Sequence, residues 1–465
     1  MKRRFTALSV SLISLLASAA YAQAPGAATA DSNPAPPAAA PPAAVAEPAP
    51  GPAAPPVVVP PPAPTPAAKP ECSKGPYPTG PVPAPPGLPI RAMGIIRAAA
   101  VVTTGVQSFA YPTAAAITAA ANPALLADAG DMLLSFQTQQ TRAGVVVGEG
   151  TPVKGTIELD FVHFDTSSPT VQAFPRLRLG LVDWTVAPGQ RVFLGQTWDI
   201  YGPVNTHSFN LVGNLFNAGN TGFMRQQLAW LGKFGDLEVA VAAGMQGANA
   251  GATFNNVERS VSPSVAARLG YYLAPTSWFG VSAIASSLRL TSGALQERRD
   301  AFSANAFGDM LFGSINVRAE AYVAQNGANL GLLNLGAGRF GSDVMDGGGF
   351  VSVKMTLGAH AVALMGGMAT ALDAAKVVPG YAPGVVAAGA TKPVLGVAAP
   401  AAGPGIESNA TVHLAYSFSP GKGVQLIAEP YLYSTRYKLA ASDTALNVQA
   451  DAFAYGLECG ALYSF

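Results

Sequence analysis

The chain has 465 residues, of which only 11% are charged, with 50 glycines, 40 prolines and a formal net charge of +1. That balance gives no reason to expect nucleic acid or another polyanion as partner. No apolar run of about twenty residues follows the first 22, so the sequence holds no helical membrane span. Mean hydropathy is nevertheless positive, at +0.29. Low charge and abundant glycine without a helical span suit a β-barrel whose outer surface faces lipid.

Residues 1–22 read as a secretory signal peptide. Lys2, Arg3 and Arg4 form a basic start, Ala7 to Ala17 a short apolar core, and Ala20-Tyr21-Ala22 a small-residue cleavage site. Residues 23–90 are dominated by Pro and Ala. Proline fixes φ and removes backbone donors, so neither helix nor sheet propagates. The segment is expected to be a disordered, extended linker in the periplasm, reaching roughly 200 Å at about 3.1 Å per residue. It is expected to serve either as a passive spacer or as a specific ligand for cell-wall or periplasmic partners.

Residues 91–465 break into about sixteen segments in which apolar and polar residues alternate. This predicts an all-β fold, a transmembrane antiparallel β-barrel of about 16 strands. Short connections (GEGTP, APGQ, GKFG, APTS, GDMLF, LGA, SPGKG) alternate with long ones. Short turns on the periplasmic side and long loops outside are the layout of an outer-membrane barrel. An even strand number keeps both ends of the barrel domain in the periplasm, where the linker belongs.

In KGTIELDFVHF the apolar set is Ile157, Leu159 and Phe161; Thr156, Glu158, Asp160 and Val162 lie on the other face. In PRLRLGLVDW, Leu177, Leu179 and Leu181 oppose Arg176, Arg178, Gly180 and Val182. Charge is costly against lipid, so the charged sets are expected inward. Asp160 is expected opposite Arg178 as a cross-strand pair. The same reasoning makes Arg97, Arg142, Arg225, Glu238, Arg268, Arg318, Glu320, Glu429 and Glu458 pore-lining, around an aqueous lumen. Trp184, Trp198, Trp230, Trp278, Tyr271, Tyr431, Tyr463 and Phe465 are candidates for interfacial girdles, with core packing as the competing role.

The third long connection, DIYGPVNTHSFNLVGNLFNAGN, is rich in amides and follows a short strand. Its Asp199, Tyr201, Asn205, His207, Asn210 and Asn214 are candidates for a constriction loop folded into the lumen. The alternative is an exposed surface loop. The final segment alternates from Phe453 to Phe465 and reads as the strand that closes the barrel on the first one. Tyr463 and Phe465 form the candidate assembly signal, to be read by the barrel assembly machinery. Cys459 falls on the outer face and Cys72 in the linker, so no bridge between them is expected.

Three segments in order, QTQQTRAGV, FLGQTWDIYG and FMRQQLAW, resemble the early-strand motifs of DcaP-like trimeric outer-membrane porins. The matching residues are Arg142 and Gly144, then Gly195, Gln196, Thr197 and Trp198, then Arg225 and Gln226. The resemblance covers about residues 94–232 by motif and the rest by layout. It implies a sixteen-stranded homotrimer passing small, often anionic, solutes. Two departures stand out: Pro/Ala sequence replaces the family's N-terminal coiled coil, and the inward charges are nearly balanced, which does not favour strong anion preference.

Four histidines, His163, His207, His360 and His413, lack metal-ligand spacing. GAGRFG at Gly336 to Gly341 matches a dinucleotide fingerprint without the β-α-β setting it requires. No cofactor or enzymatic activity is implied, and a hydrolase embedded in the barrel ranks last. The expected function is passive diffusion of small hydrophilic solutes, anionic ones included, through a porin in the outer-membrane lipid of a Gram-negative bacterium. The alternative is an outer-membrane anchoring protein whose Pro/Ala arm contacts the cell wall.

Overall fold

The computed structural model describes residues 87–104, 132–165, 172–210, 215, 217–222, 224–244, 262–292, 295–330, 332, 343–374, 406–437 and 451–465. The segments expected as signal peptide and, nearly all of it, as linker, including Cys72, lie outside them.

Seventeen β-segments follow one another: β1 (Ile90–Thr104), β2 (Met132–Gln137), β3 (Arg142–Val147), β4 (Val153–Asp165), β5 (Gln172–Ala187), β6 (Gln190–Trp198), β7 (Met224–Phe234), β8 (Leu237–Gly244) and β9 (Ser262–Ala274). Then come β10 (Ser277–Ser292), β11 (Leu295–Phe312), β12 (Ile315–Gln325), β13 (Met345–Leu357), β14 (His360–Ala371), β15 (Ile406–Gly421), β16 (Val424–Tyr437) and β17 (Asp451–Ser464). Each segment from β3 to β17 pairs antiparallel with the next, and β17 pairs with β1, so the ring is closed. Segments β2 and β3 pair one after the other with β1 and are halves of a single strand, which makes the barrel sixteen-stranded. The break between them is patched by Thr141. Its hydroxyl accepts the Arg97 N–H (3.1 Å) and donates to the Arg97 carbonyl (3.2 Å), replacing the missing ladder bonds.

The seam is sealed to the last residue. Gly94 and Phe465 exchange both backbone hydrogen bonds, each 3.1 Å. Of the expected short turns, one is displaced. GDMLF is not a turn, because β11 continues through Phe312 and the chain reverses at Gly313 and Ser314, where Gly313 adopts φ of 61°. A left-handed φ at this turn is what a two-residue hairpin of matching twist requires.

The two faces are inverted relative to a water-soluble protein. Ile157, Leu194, Leu364 and Phe453 are exposed on the outside, whereas Arg97, Asp160, Arg225, Glu429 and Glu458 are buried inside. The buried core therefore sits in the lumen, where wall side chains meet inserted loop.

Strand β5 departs from the alternation. Glu158 pairs with Leu179 and Leu159 with Leu177, so Arg178 is the extra residue of a β-bulge. A bulge shifts the phase of every side chain beyond it. Leu179 therefore stands opposite Glu158 on the inner side, and Leu181 packs against the internal core. Val182, expected inside, is 53% exposed outside. Asp160 stands opposite Arg176 rather than Arg178. Gln196 caps the bulge, donating from Nε2 to the carbonyls of Leu177 (2.7 Å) and Arg178 (3.1 Å). Beside it, Gly195 has φ of +134°, and a Cβ there would lie 2.0 Å from the Gly180 carbonyl oxygen. The Gly195-Gln196 pair thus has a local structural reason.

Trp184, Tyr271, Tyr463 and Phe465 are exposed on the outer surface, as girdle residues would be. Trp278 and Tyr431 are not. Trp278 packs edge-on to the buried Phe307, and Tyr431 lies against His413 and Tyr433 inside the barrel. Cys459 is exposed and carries no disulfide.

Candidate functional site: the barrel lumen

The inner wall is laced by ion pairs between neighbouring strands. Arg178 meets Glu158 at 2.7 Å, and Arg176 meets Asp160 through two bonds of 3.0 and 2.7 Å. Arg268 meets Glu238 at 2.7 Å, Arg318 meets Asp309 at 3.0 Å, and Arg97 is joined to Glu458. Arg142 stands in register with Asp160. These charges are matched nearly one to one. Breaking a buried pair by removing one partner typically costs about 3–5 kcal/mol, because the survivor stays desolvated. Arg178 and Arg268 also lie over aromatic rings, each 5.3 Å from the centroid of Trp198 and Trp278 respectively.

The segment after β6 leaves the wall and enters the lumen. Asp199 starts it, accepting from Arg225 Nε (2.8 Å) and from the Gly202 N–H (2.9 Å). Tyr201 has no exposed surface; its hydroxyl meets Ser303 and its carbonyl accepts from Ser282. The carbonyl of Ile200 accepts from Arg268 (3.1 Å) and that of Asn205 from Arg318 (3.2 Å). Two of the wall arginines therefore serve both a carboxylate and the loop backbone.

Glu320 clips the two limbs of the loop together. Its Oε1 accepts the Val204 N–H (3.4 Å), and its Oε2 accepts both the N–H (3.1 Å) and the hydroxyl (2.9 Å) of Thr221. Between these limbs His207 reaches β12 and β13. The Asn316 amide donates to Asp309 (2.7 Å), so its oxygen accepts from His207 Nε2–H. His207 Nδ1 faces the Ser352 hydroxyl at 2.7 Å. This is a neutral imidazole. Burial first, and the nearby Arg318 second, pull its pKa down to about 4.

Farther along, Ser208 and Phe209 bond to Glu429 on β16, and Gln140 donates to Asn210 (3.1 Å) from the break between β2 and β3. On the return, Asn409 donates to the Asn217 carbonyl (2.9 Å). Gly219 then crosses β13 with φ of +108°, and a Cβ there would sit 2.1 Å from the Gly349 carbonyl oxygen. Asn214 lies outside the described residues.

A second insertion was not foreseen from the sequence. The 3-10 turn Gly327–Leu330, after β12, carries the fully buried Leu330 and the nearby Leu332. The Leu330 carbonyl accepts from Arg225 (2.9 Å), and Asp346 accepts the Gly327 N–H (3.1 Å). The paired leucines in ANLGLLNL were the available signal, since apolar residues inside a long glycine-rich connection have to be buried somewhere.

The structure thus brings Asp199, Tyr201, Asn205, His207 and Asn210 into the lumen against Arg225, Arg268, Arg318, Glu320 and Glu429. Arg97, Arg142, Glu158, Asp160, Arg176, Arg178 and Glu238 stand on the inner wall. His413, one of the four histidines without metal-ligand spacing, bonds Glu429 through Nδ1. Among the described residues no group of His, Cys, Asp and Glu has the arrangement of a metal site.

No family model matches the sequence, and no curated protein matches it. Among solved structures, the fold is similar to the outer membrane channel DcaP of Acinetobacter baumannii. The two are 14% identical, the alignment covers 82% of this chain and 98% of that one, and the TM-score is 0.60. OmpT of Vibrio cholerae is 11% identical over 81% of this chain and 97% of its own, with a TM-score of 0.45. OmpF of Salmonella typhi is 11% identical over 81% and 97%, with a TM-score of 0.46. The chain has the fold of the DcaP outer-membrane channel.

Proposed function

We propose that the protein is an outer-membrane pore through which small hydrophilic solutes diffuse passively down their gradients. It would sit in the outer membrane of a Gram-negative cell, as a homotrimer, with the Pro/Ala arm in the periplasm. One observation carries this reading: the charged residues of the wall are turned inward in a closed sixteen-strand barrel whose outside is apolar. A barrel of this strand number is wide enough for an aqueous channel. The loop after β6 narrows it, so size selection falls to that loop and to the wall facing it. The near match of inner charges favours selection by size and by local transverse fields over strong exclusion of one sign. Arg142, Glu158, Asp160, Arg176 and Arg178 are the wall groups for such a field.

Liposome swelling tests the proposal. Vesicles holding the purified protein should admit small sugars quickly and larger oligosaccharides progressively more slowly. Swelling rates equal to those of protein-free vesicles, with the barrel folded, would contradict it. That outcome would favour the second reading, a plugged barrel that anchors the Pro/Ala arm. The observation in favour of that reading is the complete burial of Tyr201 and Leu215 in the loop.

A further inference from the structure

Glu429 holds the loop at a site remote from the strands that bear it. Its Oε1 accepts from the Ser208 hydroxyl (2.7 Å) and its Oε2 accepts the Phe209 N–H (2.6 Å). Its Oε1 also accepts from His413 Nδ1 (2.7 Å). Glu458 lies directly opposite Glu429 in the β16–β17 register, and both are buried on the inner face. Like charges opposite one another on a shared face destabilise a sheet unless each is separately compensated. Arg97 compensates Glu458. Among the described residues Glu429 has no arginine as a bonded partner, and it depends on His413 and the loop.

His413 is itself fixed. Its Nε2 lies 2.9 Å from Thr411 Oγ1, and its ring packs against Tyr431 at 5.7 Å and, edge-on, Tyr433 at 5.3 Å. Among the described residues it makes no bond to the loop. We propose that His413 is a positioning residue of the pore: it aims the Glu429 carboxylate so that one oxygen captures the Ser208 hydroxyl and the other the Phe209 backbone. Glu320 grips the loop near its two ends, where β6 and β7 already restrain it. The Glu429 contact instead fixes the far half of the loop, and with it the width of the passage.

This inference rests on the diffusion-pore reading, and two measurements separate their failures. The first is open-channel current noise in planar bilayers. The second is hydrogen exchange at the loop amides around Phe209, which needs no conduction. In His413→Leu the noise should rise several-fold and protection at those amides should fall by at least tenfold. In His413→Asn the side-chain amide N–H can take the place of Nδ1–H, so both should return close to wild type. A role in barrel stability alone would not show that rescue. Ser208→Ala leaves the wall intact and should raise noise and exchange to a smaller extent. It decides the matter if the wall variants do not fold. Wild-type noise and exchange in folded His413→Leu, or in Ser208→Ala should that variant fail to fold, would overturn the proposal. A silent wild-type protein would overturn the pore reading, and the exchange result would still decide whether His413 holds the loop.

Discussion

Leu177 and Leu179 look equivalent in the sequence and are not. Strict alternation puts both toward lipid, but the bulge at Arg178 sends Leu179 to the inner side beside Glu158. Periodicity cannot reveal a bulge from one strand, because the extra residue is defined only by the partner strand's register. Leu177→Glu should therefore lower the fraction of folded, heat-modifiable barrel in membranes markedly, since a charge on the lipid face is costly. Leu179→Glu should be tolerated far better. Equal losses would mean that the bulge does not exist. His207 gives a second test at a single side chain. Its folded-state pKa of about 4 lies below the ordinary value of 6.5. The unfolded or undocked ring takes up a proton first, so the docking is fully stable above about pH 6.5 and weakens as pH falls toward 4. Current noise should rise between pH 6.5 and 5 in the wild type. His207→Gln keeps a donor for Asn316 and does not titrate, so its noise should stay flat over that range.

The strands were readable from the sequence because an unlike pair of faces forces period two, and turns punctuate it with glycine. The alternating segment that follows the LGA turn is β14, His360–Ala371. The inserted loop was legible only as a tendency, from its length and its amides. Its partners were not legible: Glu320 and Glu429 lie 99 to 221 residues away from the groups they bind, and no local pattern encodes such a pairing. The crossing at Gly219 can be probed directly. Gly219→Val combines a left-handed φ, costing about 1–3 kcal/mol in itself, with a clash against the Gly349 backbone. The loop should shift while the barrel closes normally, which would appear as raised exchange at Thr221 with unchanged heat-modifiability. Closure depends on another element. Phe465 completes the β1–β17 seam through both of its backbone groups, so deleting it should reduce the amount of folded barrel several-fold.

Apolar outside and charged inside is the arrangement of a barrel built to stand in lipid, and it was the clearest message of the sequence as well. Residues 24–88 have little apolar material to bury, so a chain lacking them should fold to the same heat-modifiable barrel and pass the same solutes. The lumen itself is more crowded than the sequence suggested, because among the described residues two loops rather than one enter it. Whether a continuous aqueous path remains between the β6–β7 loop and the arginine-bearing wall is decided by single-channel recording of the purified full-length protein in planar bilayers. A water-filled lumen predicts discrete, reproducible conductance steps, with a reversal potential in a salt gradient that moves toward cation preference when Arg176 is changed to Glu. A folded, membrane-inserted protein that gives no steps would contradict it.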